Sequence, residues 1–414
     1  MQVASTGRQA DLSTECCIAG GGPAGLMLGY LLARAGVKVI VLEKHDDFLR
    51  DFRGDTIHPS TLTVLEDLGL LEAFLELPHQ EISELTGEVY GETVTLADFR
   101  HVKAPRPFLV LIPQWDFLDF IADHARRLPN FSLRMGAKAV SVIERDNWIV
   151  GVNVQTRDGE STIHADLVVA ADGRHTMLRD SADLASEDLG APIDVLWFRL
   201  PRDAARDPSR TGGTIRPGAM LVTLNRDTYW QCAYVIPKGS LEALQAEGIE
   251  AFRERVAKVA PFLAAATATL AGWDDVKLLS VQISRMPRWY CDGFLCIGDA
   301  AHAMSPVGGV GINLAIQDAV AASNLLAGPL RERTLVTGDL AAVQRRREWP
   351  ARVTQRMQIA VQNEVLAPVL AGSRPPEHLP FPLKLLQRLP RLRRIPARLI
   401  GIGVRPERVE TKAR

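Results

Sequence analysis

Several things are scarce in this 414-residue sequence, and each scarcity removes a class of function. Net charge is nearly absent: 48 Lys and Arg stand against 49 Asp and Glu, a formal −1. That balance argues against nucleic acid as the main partner. There is no uninterrupted apolar run of about 18 residues, the length a membrane crossing needs, so no transmembrane helix is expected. The first fifteen residues, MQVASTGRQADLSTE, lack the apolar core of a signal peptide and read as a loose extension. Cysteine is limited to five residues with no CxxC and no metal-type spacing. No redox-active pair and no metal site are expected, and the thiols read as reduced, in the cytoplasm. Cys16, Cys17 and Cys296 fall in apolar runs, where Cys serves as a small hydrophobe.

What is present describes a globular protein, 47% hydrophobic and 23% charged. The length makes two domains the default. Charge is unevenly placed: Ser373 to Arg414 carries eleven basic and three acidic residues, a net +8 that leaves −9 to the rest. Two readings of that tail stay open. It is a basic face for weak contact with an anionic membrane surface or partner, or a solvated cap whose arginines pair with the acidic body.

Along the chain, ECCIAGGGPAGLMLGYLLARAGVKVIVLEK reads as strand, glycine turn, helix, strand. Cys16 to Ala19 is a short apolar run, Leu26 to Arg34 has helical spacing ended by Gly36, and Val37 to Leu42 is a second buried strand. A helix is expected from Ser60 to about Gly69. A second, amphipathic helix places Trp115, Leu118, Ile121 and Ala122 on one side. From Lys138 the pattern alternates and ends in ADLVVAADGRHTMLRD, a buried strand, a turn and a helix start. GAMLVTLNRDTYWQCAYVIPKG reads as two antiparallel strands turning near Asn225–Asp227. A helical stretch covers Leu241 to Ala268, DDVKLLSVQISRMPRW returns as a strand, and the chain is helical after Leu326. The fold expected is α/β: a discontinuous Rossmann-like domain over residues 1–75, 101–180 and 285–330, a β-rich substrate domain over 76–100 and 181–284, and a helical C-terminal region with a basic tail over 331–414.

Three motifs carry chemistry. Gly20-Gly21-Gly22-Pro23-Ala24-Gly25 matches GxGxxG between strand and helix. Gly20 permits the tight turn, Gly22 clears room for a pyrophosphate and Gly25 lets helix and strand pack. Glu43 follows about 20 residues on, at the next strand tip, where a carboxylate accepts from ribose hydroxyls. Asp172-Gly173 closes the strand ADLVVAA, and Asp172 is equally readable as a ligand contact in the crevice or as a helix N-cap. CIGDAAHAMSPVGGVGINLAIQDA sets Asp299 at a strand tip and a glycine cluster at the head of a helix near Gly311. The positive end of that helix would face the far half of a dinucleotide. Reduced nicotinamide is neutral and gains little there. A reduced flavin is anionic around N1 and C2=O and gains much, and its ribityl hydroxyls suit Asp299, so FAD fits better than NAD.

With these motifs in this order, the stretch from Glu15 to Leu330 resembles the class A flavoprotein monooxygenases of the para-hydroxybenzoate hydroxylase fold. The resemblance implies tightly bound, non-covalent FAD, reduction by NADPH or NADH, and O₂ adding at flavin C4a to give a hydroperoxide. That species hydroxylates an aromatic or lipophilic, polyketide-like small molecule. It further implies roles for single residues. Arg53 looks like the arginine approaching the flavin, Gln114 like the FAD-contacting glutamine, and Lys44 extends the Glu43 site. Pro306 resembles the proline whose carbonyl faces the substrate. Gly309, Gly311, Ile312 and Asn313 resemble the backbone cradling the flavin pyrimidine, and His302 is expected to pack behind it. Arg174-His175-Thr176 departs from the family's small residues and serine. No thioredoxin-like C-terminal pattern of some phenol and polyketide hydroxylases is seen, nor the tryptophan-rich motif of flavin halogenases.

Other readings stay open. A relative of the same fold could epoxidise its substrate or reduce it. From other classes, the chain could be an NAD-dependent dehydrogenase, or a non-catalytic FAD-fold module binding a lipid or partner through its tail. A two-domain reductase is disfavoured by the single fingerprint. On TYWQCAYVIP, the faces Tyr229/Gln231/Ala233 and Trp230/Cys232/Tyr234 are equally eligible to line a pocket.

Overall fold

A computed structural model describes residues 12–49, 56–209, 211–372 and 381–414. Arg53 lies outside the described residues. The chain opens as strand β1 (Leu12–Ala19), helix α1 (Pro23–Arg34) and strand β2 (Val39–Leu42). The last four residues of β1 and all of β2 are buried. Helices cover both faces of a parallel sheet, so these strands are apolar runs rather than alternations. β1 pairs in parallel with β2 and with the strand Gly159–Ala170, which pairs in parallel with Phe294–Cys296. Cys16, Cys17 and Cys296 are fully buried in this sheet. The hairpin Lys138–Arg145 and Trp148–Thr156 turns at Asp146 and Asn147, both at positive φ (53° and 62°), and adds to Gly159–Ala170. Two successive left-handed residues match the twist of the flanking strands.

A second sheet runs in the order Lys277–Leu279, Ile193–Pro201, Tyr229–Pro237, Ala219–Asn225, Gly212–Arg216, Glu84–Val89, Glu92–Asp98. Its hairpin turns at Asp227, φ 59°. The two faces of Tyr229–Pro237 are now distinguished. Trp230, Cys232 and Tyr234 pack on Phe252 and Val256 of the helix Ile249–Val259. Ala233 and Val235 lie with Ile193, Val195 and Leu366, and Val307 packs against them. This second face looks toward the glycine-rich loop.

Two expected elements are broken. The helical stretch from Leu241 divides at Gly248 (φ 88°) into Leu241–Glu247 and Ile249–Val259, followed by single turns. The strand expected in DDVKLLSVQISRMPRW becomes Lys277–Leu279 in the second sheet and Ser284–Arg285 paired with Glu187–Asp188. Asp194 explains the interruption. It is 3% exposed and takes hydrogen bonds from Val281 N (2.9 Å), Lys238 Nζ (2.8 Å) and Gly239 N (3.0 Å). A buried carboxylate must be paired, and satisfying it diverts the backbone from the ladder.

The late helix Gly311–Glu332 is long and apolar enough to cross a membrane, yet 78% of its apolar window is buried. It is a core helix packed against α1, with the long helix Thr337–Val361 on its other side. The tail then returns as Phe381–Arg388 and Arg394–Gly401, which strap the edge strand Glu92–Asp98. Ala397 and Ile400 pack with Ala97 and Phe99, and Gln387 Nε2 donates to Thr95 O at 3.1 Å. Such cover blunts an open sheet edge. Arg408 grips Asp67 with two nitrogens, as the cap reading of the tail requires. Arg388, Arg391, Arg394 and Arg398 stand exposed.

Candidate functional site

The site is built from turns that end strands of the parallel sheet. Gly20 has φ 105°, and a Cβ there would strike the Ala171 carbonyl. A Cβ on Gly25 would fall on the carbonyl oxygen of Gly20. Both positions therefore exclude a side chain for packing reasons. Gly22 differs: its backbone is extended (φ −76°, ψ −175°), and a Cβ would meet no atom of the described residues within 4 Å. Its missing side chain serves space outside the fold. α1 starts at this point with no side-chain cap, so its first N–H groups face that space. Ala24 is buried, and a Cβ on Gly298 would sit 3.3 Å from the Cβ atoms of Ala24 and Ala315. The first and third motifs are thus in near contact.

Glu43 directly follows β2 and is 9% exposed. Its Oε2 accepts from Gly21 N at 3.0 Å and its Oε1 from His45 N at 3.1 Å. Lys44 beside it is exposed. Asp172 follows the strand Gly159–Ala170 and is half-buried, with its Oδ1 buried and without a partner among the described residues. Burial pushes its carboxyl up to about 6, against the Thr176 hydroxyl and the charges of Lys44 and Arg179, which draw it down. The N-cap reading of Asp172 does not hold. Thr176 caps the short helix Met177–Ser181, accepting from Arg179 N at 3.4 Å. A one-turn helix needs its capping oxygen immediately before its first residue, and Asp172 is too far upstream.

Asp299 is exposed on the single turn Gly298–Ala300, just past the strand Phe294–Cys296. Pro306 follows, and its carbonyl accepts from Gly309 N at 3.0 Å. Gly309 has φ 61°, and a Cβ there would press on Thr56 Oγ1 at 3.3 Å. The helix Gly311–Glu332 begins without a side-chain cap, and a Cβ on Gly311 would also meet nothing among the described residues within 4 Å. Ile312 is half-buried and Asn313 buried. The Asn313 side chain works as a staple. Its Oδ1 accepts from His58 N (2.9 Å) and Thr61 Oγ1 (2.6 Å), and its Nδ2 donates to Thr56 O (3.2 Å). Gln114 is half-buried at the start of the helix Gln114–Arg126, just after Leu111, which pairs with Thr56.

Behind the loop lies a buried charge network. His302 Nε2 meets Asp318 Oδ2 at 2.5 Å, Gly298 N donates to that same oxygen at 3.1 Å, and Arg347 Nε donates to Oδ1 at 2.9 Å. Arg347 continues to Glu407 at 3.5 Å. Burial alone would raise the Asp318 carboxyl, but the His302 and Arg347 contacts hold it below the usual range. His302 therefore sits behind the loop, packed on Trp289 with ring centroids 4.8 Å apart.

FAD fits these residues on three observations: open space over Gly22 at one uncapped helix, open space at Gly311 on another, and an orphaned buried oxygen on Asp172. A diphosphate suits the first, and an electron-rich ring edge the second. Residues of the 56–61 segment were not singled out from sequence, yet they complete the ring end. His58 is fully buried, its Nδ1 donates to Ile400 O at 2.7 Å, and its ring also meets the Gly309 backbone. Burial lowers its imidazole to about 4, keeping it neutral. The one hint in the sequence is position, just after the expected flavin arginine.

An FAD binding domain family matches residues 13–357. The 6-methylpretetramide 4-monooxygenase of Streptomyces rimosus is 33% identical over 358 residues, 86% of this chain and 85% of that protein. A Streptomyces rimosus 12-dehydrotetracycline 5-monooxygenase/anhydrotetracycline 6-monooxygenase is 30% identical over 74% of this chain, which spans 61% of that protein's length. Among solved structures, PqsL of Pseudomonas aeruginosa, described as a probable FAD-dependent monooxygenase, shares the fold with a TM-score of 0.72. It is 23% identical over 87% of this chain and 98% of its own.

Proposed function

The chain belongs to the FAD binding domain family, as a flavoprotein monooxygenase, and from that premise we propose that it hydroxylates an aromatic, polyketide-like small molecule using NAD(P)H and O₂. The observation that carries this reading is the apolar face of the second sheet, whose Ala233, Val235, Ile193 and Val195 meet Val307 next to the glycine loop. A ring system held against that face would lie over the head of the helix Gly311–Glu332. The relatives' names, with pretetramide and tetracycline substrates, support the substrate class.

FAD, when bound, would supply the redox chemistry, accepting hydride from NAD(P)H and activating O₂ so that one oxygen atom goes to the substrate and the other leaves as water. The remaining work belongs to the protein. Gly22 and the head of α1 would hold the diphosphate, and Glu43 the adenosine ribose, with Lys44 alongside. Asp299 would hold the ribityl hydroxyls. Gly309, Gly311, Ile312 and Asn313 would offer backbone to the pyrimidine edge, where the helix dipole favours negative charge on the reduced ring. Gln114 borders the same region, and Asp172 borders the diphosphate. Pro306 would orient the substrate, and the apolar sheet face would exclude water and hold the reacting carbon near the ring. Residues 76–100 and 181–284 form the substrate domain in this reading. A cytoplasmic setting goes with it, as does weak contact of the exposed Arg388, Leu389, Arg391, Arg394 and Ile395 with an anionic membrane surface.

The test is turnover under oxygen-18 gas, with phenolic polyketides screened for acceleration of NADPH oxidation. One labelled oxygen atom in the product is expected. Product without label, or reduction without oxygen incorporation, would transfer the assignment to another chemistry on the same fold.

A further inference from the structure

Something has to hold Pro306 in place, and proline gives little to hold: it has no N–H to donate. The residues on both sides of it are gripped from the helix Thr337–Val361. Gln358 Oε1 accepts from Ser305 N at 3.2 Å. Its Nε2 donates to Ser305 O and to Val307 O, each at 2.9 Å. One primary amide thus engages its oxygen and both its N–H groups on the backbone flanking the proline. Gln358 is 1% exposed, so no water competes for these bonds.

Neighbouring residues extend the grip. Gln362 Nε2 donates to Ser305 Oγ at 2.6 Å, and Val307 N donates to that same hydroxyl at 3.2 Å. Gln355 Nε2 donates to Ala303 O at 3.0 Å and Ser284 O at 2.8 Å. Spacings of three and four residues put these amides on one helix face. Burying a helix face requires only apolar side chains, and a buried amide is costly unless it is fully bonded. Here Gln358 spends its oxygen and both N–H groups on the backbone beside the proline, Gln355 Nε2 donates to backbone carbonyls, and Gln362 Nε2 donates to the Ser305 hydroxyl. The chain then widens into a π-turn, Gln362–Leu366, and Leu366 joins Val195, Val235 and Val307 on the apolar sheet face. π-turns interrupt helices frequently at functional sites.

We propose that Gln358 is a positioning residue for the hydroxylation. By fixing the peptide units on either side of Pro306, it sets how closely the proline and the substrate above it approach the flavin ring, and Gln362 supports it through Ser305. Gln358 touches neither FAD nor substrate and acts through Pro306. The inference rests on the reading that the flavin ring lies at Gly311.

The test uses the full chain and FAD as the probe. Gln358→Met removes all three bonds, whereas Gln358→Glu keeps the shape and, when protonated, one donor. Three quantities are read: melting of the apoprotein, FAD dissociation constant, and visible circular dichroism of the bound flavin. The FAD affinity of Gln358→Met is expected within about threefold of wild type, since its contacts avoid the diphosphate loop. Its flavin dichroism is expected to collapse, and Gln358→Glu should recover it as pH falls. A purely structural glutamine would lower the melting temperature and leave the dichroism of the folded, FAD-loaded protein unchanged, which overturns the proposal. If Gln358→Met does not fold, Gln358→Glu decides alone: dichroism that is wild-type and independent of pH overturns it. Wild-type protein that binds no FAD would instead refute the functional reading beneath.

Discussion

Replacing Gly22 by Ser separates the role of the loop in folding from its role in binding. The backbone at Gly22 has φ −76°, open to any residue, and a Cβ there meets nothing among the described residues within 4 Å. Ser is also a good helix N-cap. The stability of the apoprotein should therefore stay within about 0.5 kcal/mol of wild type, as for an ordinary surface change. Binding should respond very differently. A side chain in that space lifts the diphosphate off the uncapped N–H groups of α1. Losing two charge-assisted hydrogen bonds at about 1.5–3 kcal/mol each removes about 3–6 kcal/mol, a Kd weaker by about 10²–10⁴. Gly25→Ala gives the opposite pattern. Its Cβ falls on Gly20 O, and overpacking costs about 1–3 kcal/mol or more in the apoprotein itself. Thermal melting without FAD and a flavin-fluorescence titration read the two effects. Wild-type FAD affinity in Gly22→Ser would refute the placement of the diphosphate over this glycine.

Other perturbations probe the remaining parts of the site. Asp299→Ala, at an exposed position, should weaken FAD retention, measured as flavin remaining after gel filtration. Asp172 is protonated more readily in the fold than in the open chain, its carboxyl being pushed up to about 6. Its contribution favours the fold at low pH and is lost as pH rises through that value. Apo Asp172→Asn should therefore gain about 1 kcal/mol relative to wild type between pH 5 and pH 7, read from urea midpoints, and a constant difference would refute the shift. Arg347→Met strips a cation from the buried Asp318. It should cost about 3–5 kcal/mol, visible in the same urea midpoints.

The fold class could be read because its signals are local. The apolar runs at Cys16–Ala19 and Val37–Leu42, with GGGPAG between them and Glu43 after, state a βαβ unit within one short window. The turn at Asp227 and the hairpin after Lys138 are likewise local. What stayed hidden depends on partners far along the chain. His58 reaches Ile400 and Asn313, and the Asp318 network reaches Glu407. The row Gln355, Gln358 and Gln362 reads locally as a polar helix face, because nothing in a helical pattern distinguishes solvent from a backbone that needs hydrogen bonds. Asp194 misled in the same way: the strand it interrupts has ordinary periodicity, and the buried carboxylate that diverts it lies in another strand. The candidate residues of the glycine turns were legible because a missing side chain has few explanations. The side chains that hold those turns were not.

The most direct measurement is to purify the protein, record its visible spectrum, and identify and count the ligand released on denaturation. The account predicts a yellow protein that releases intact FAD, one per chain, and apoprotein that takes FAD back while the Gly22→Ser variant does not. A colourless protein that fails to bind added FAD, or one that releases a nicotinamide dinucleotide instead, would contradict it.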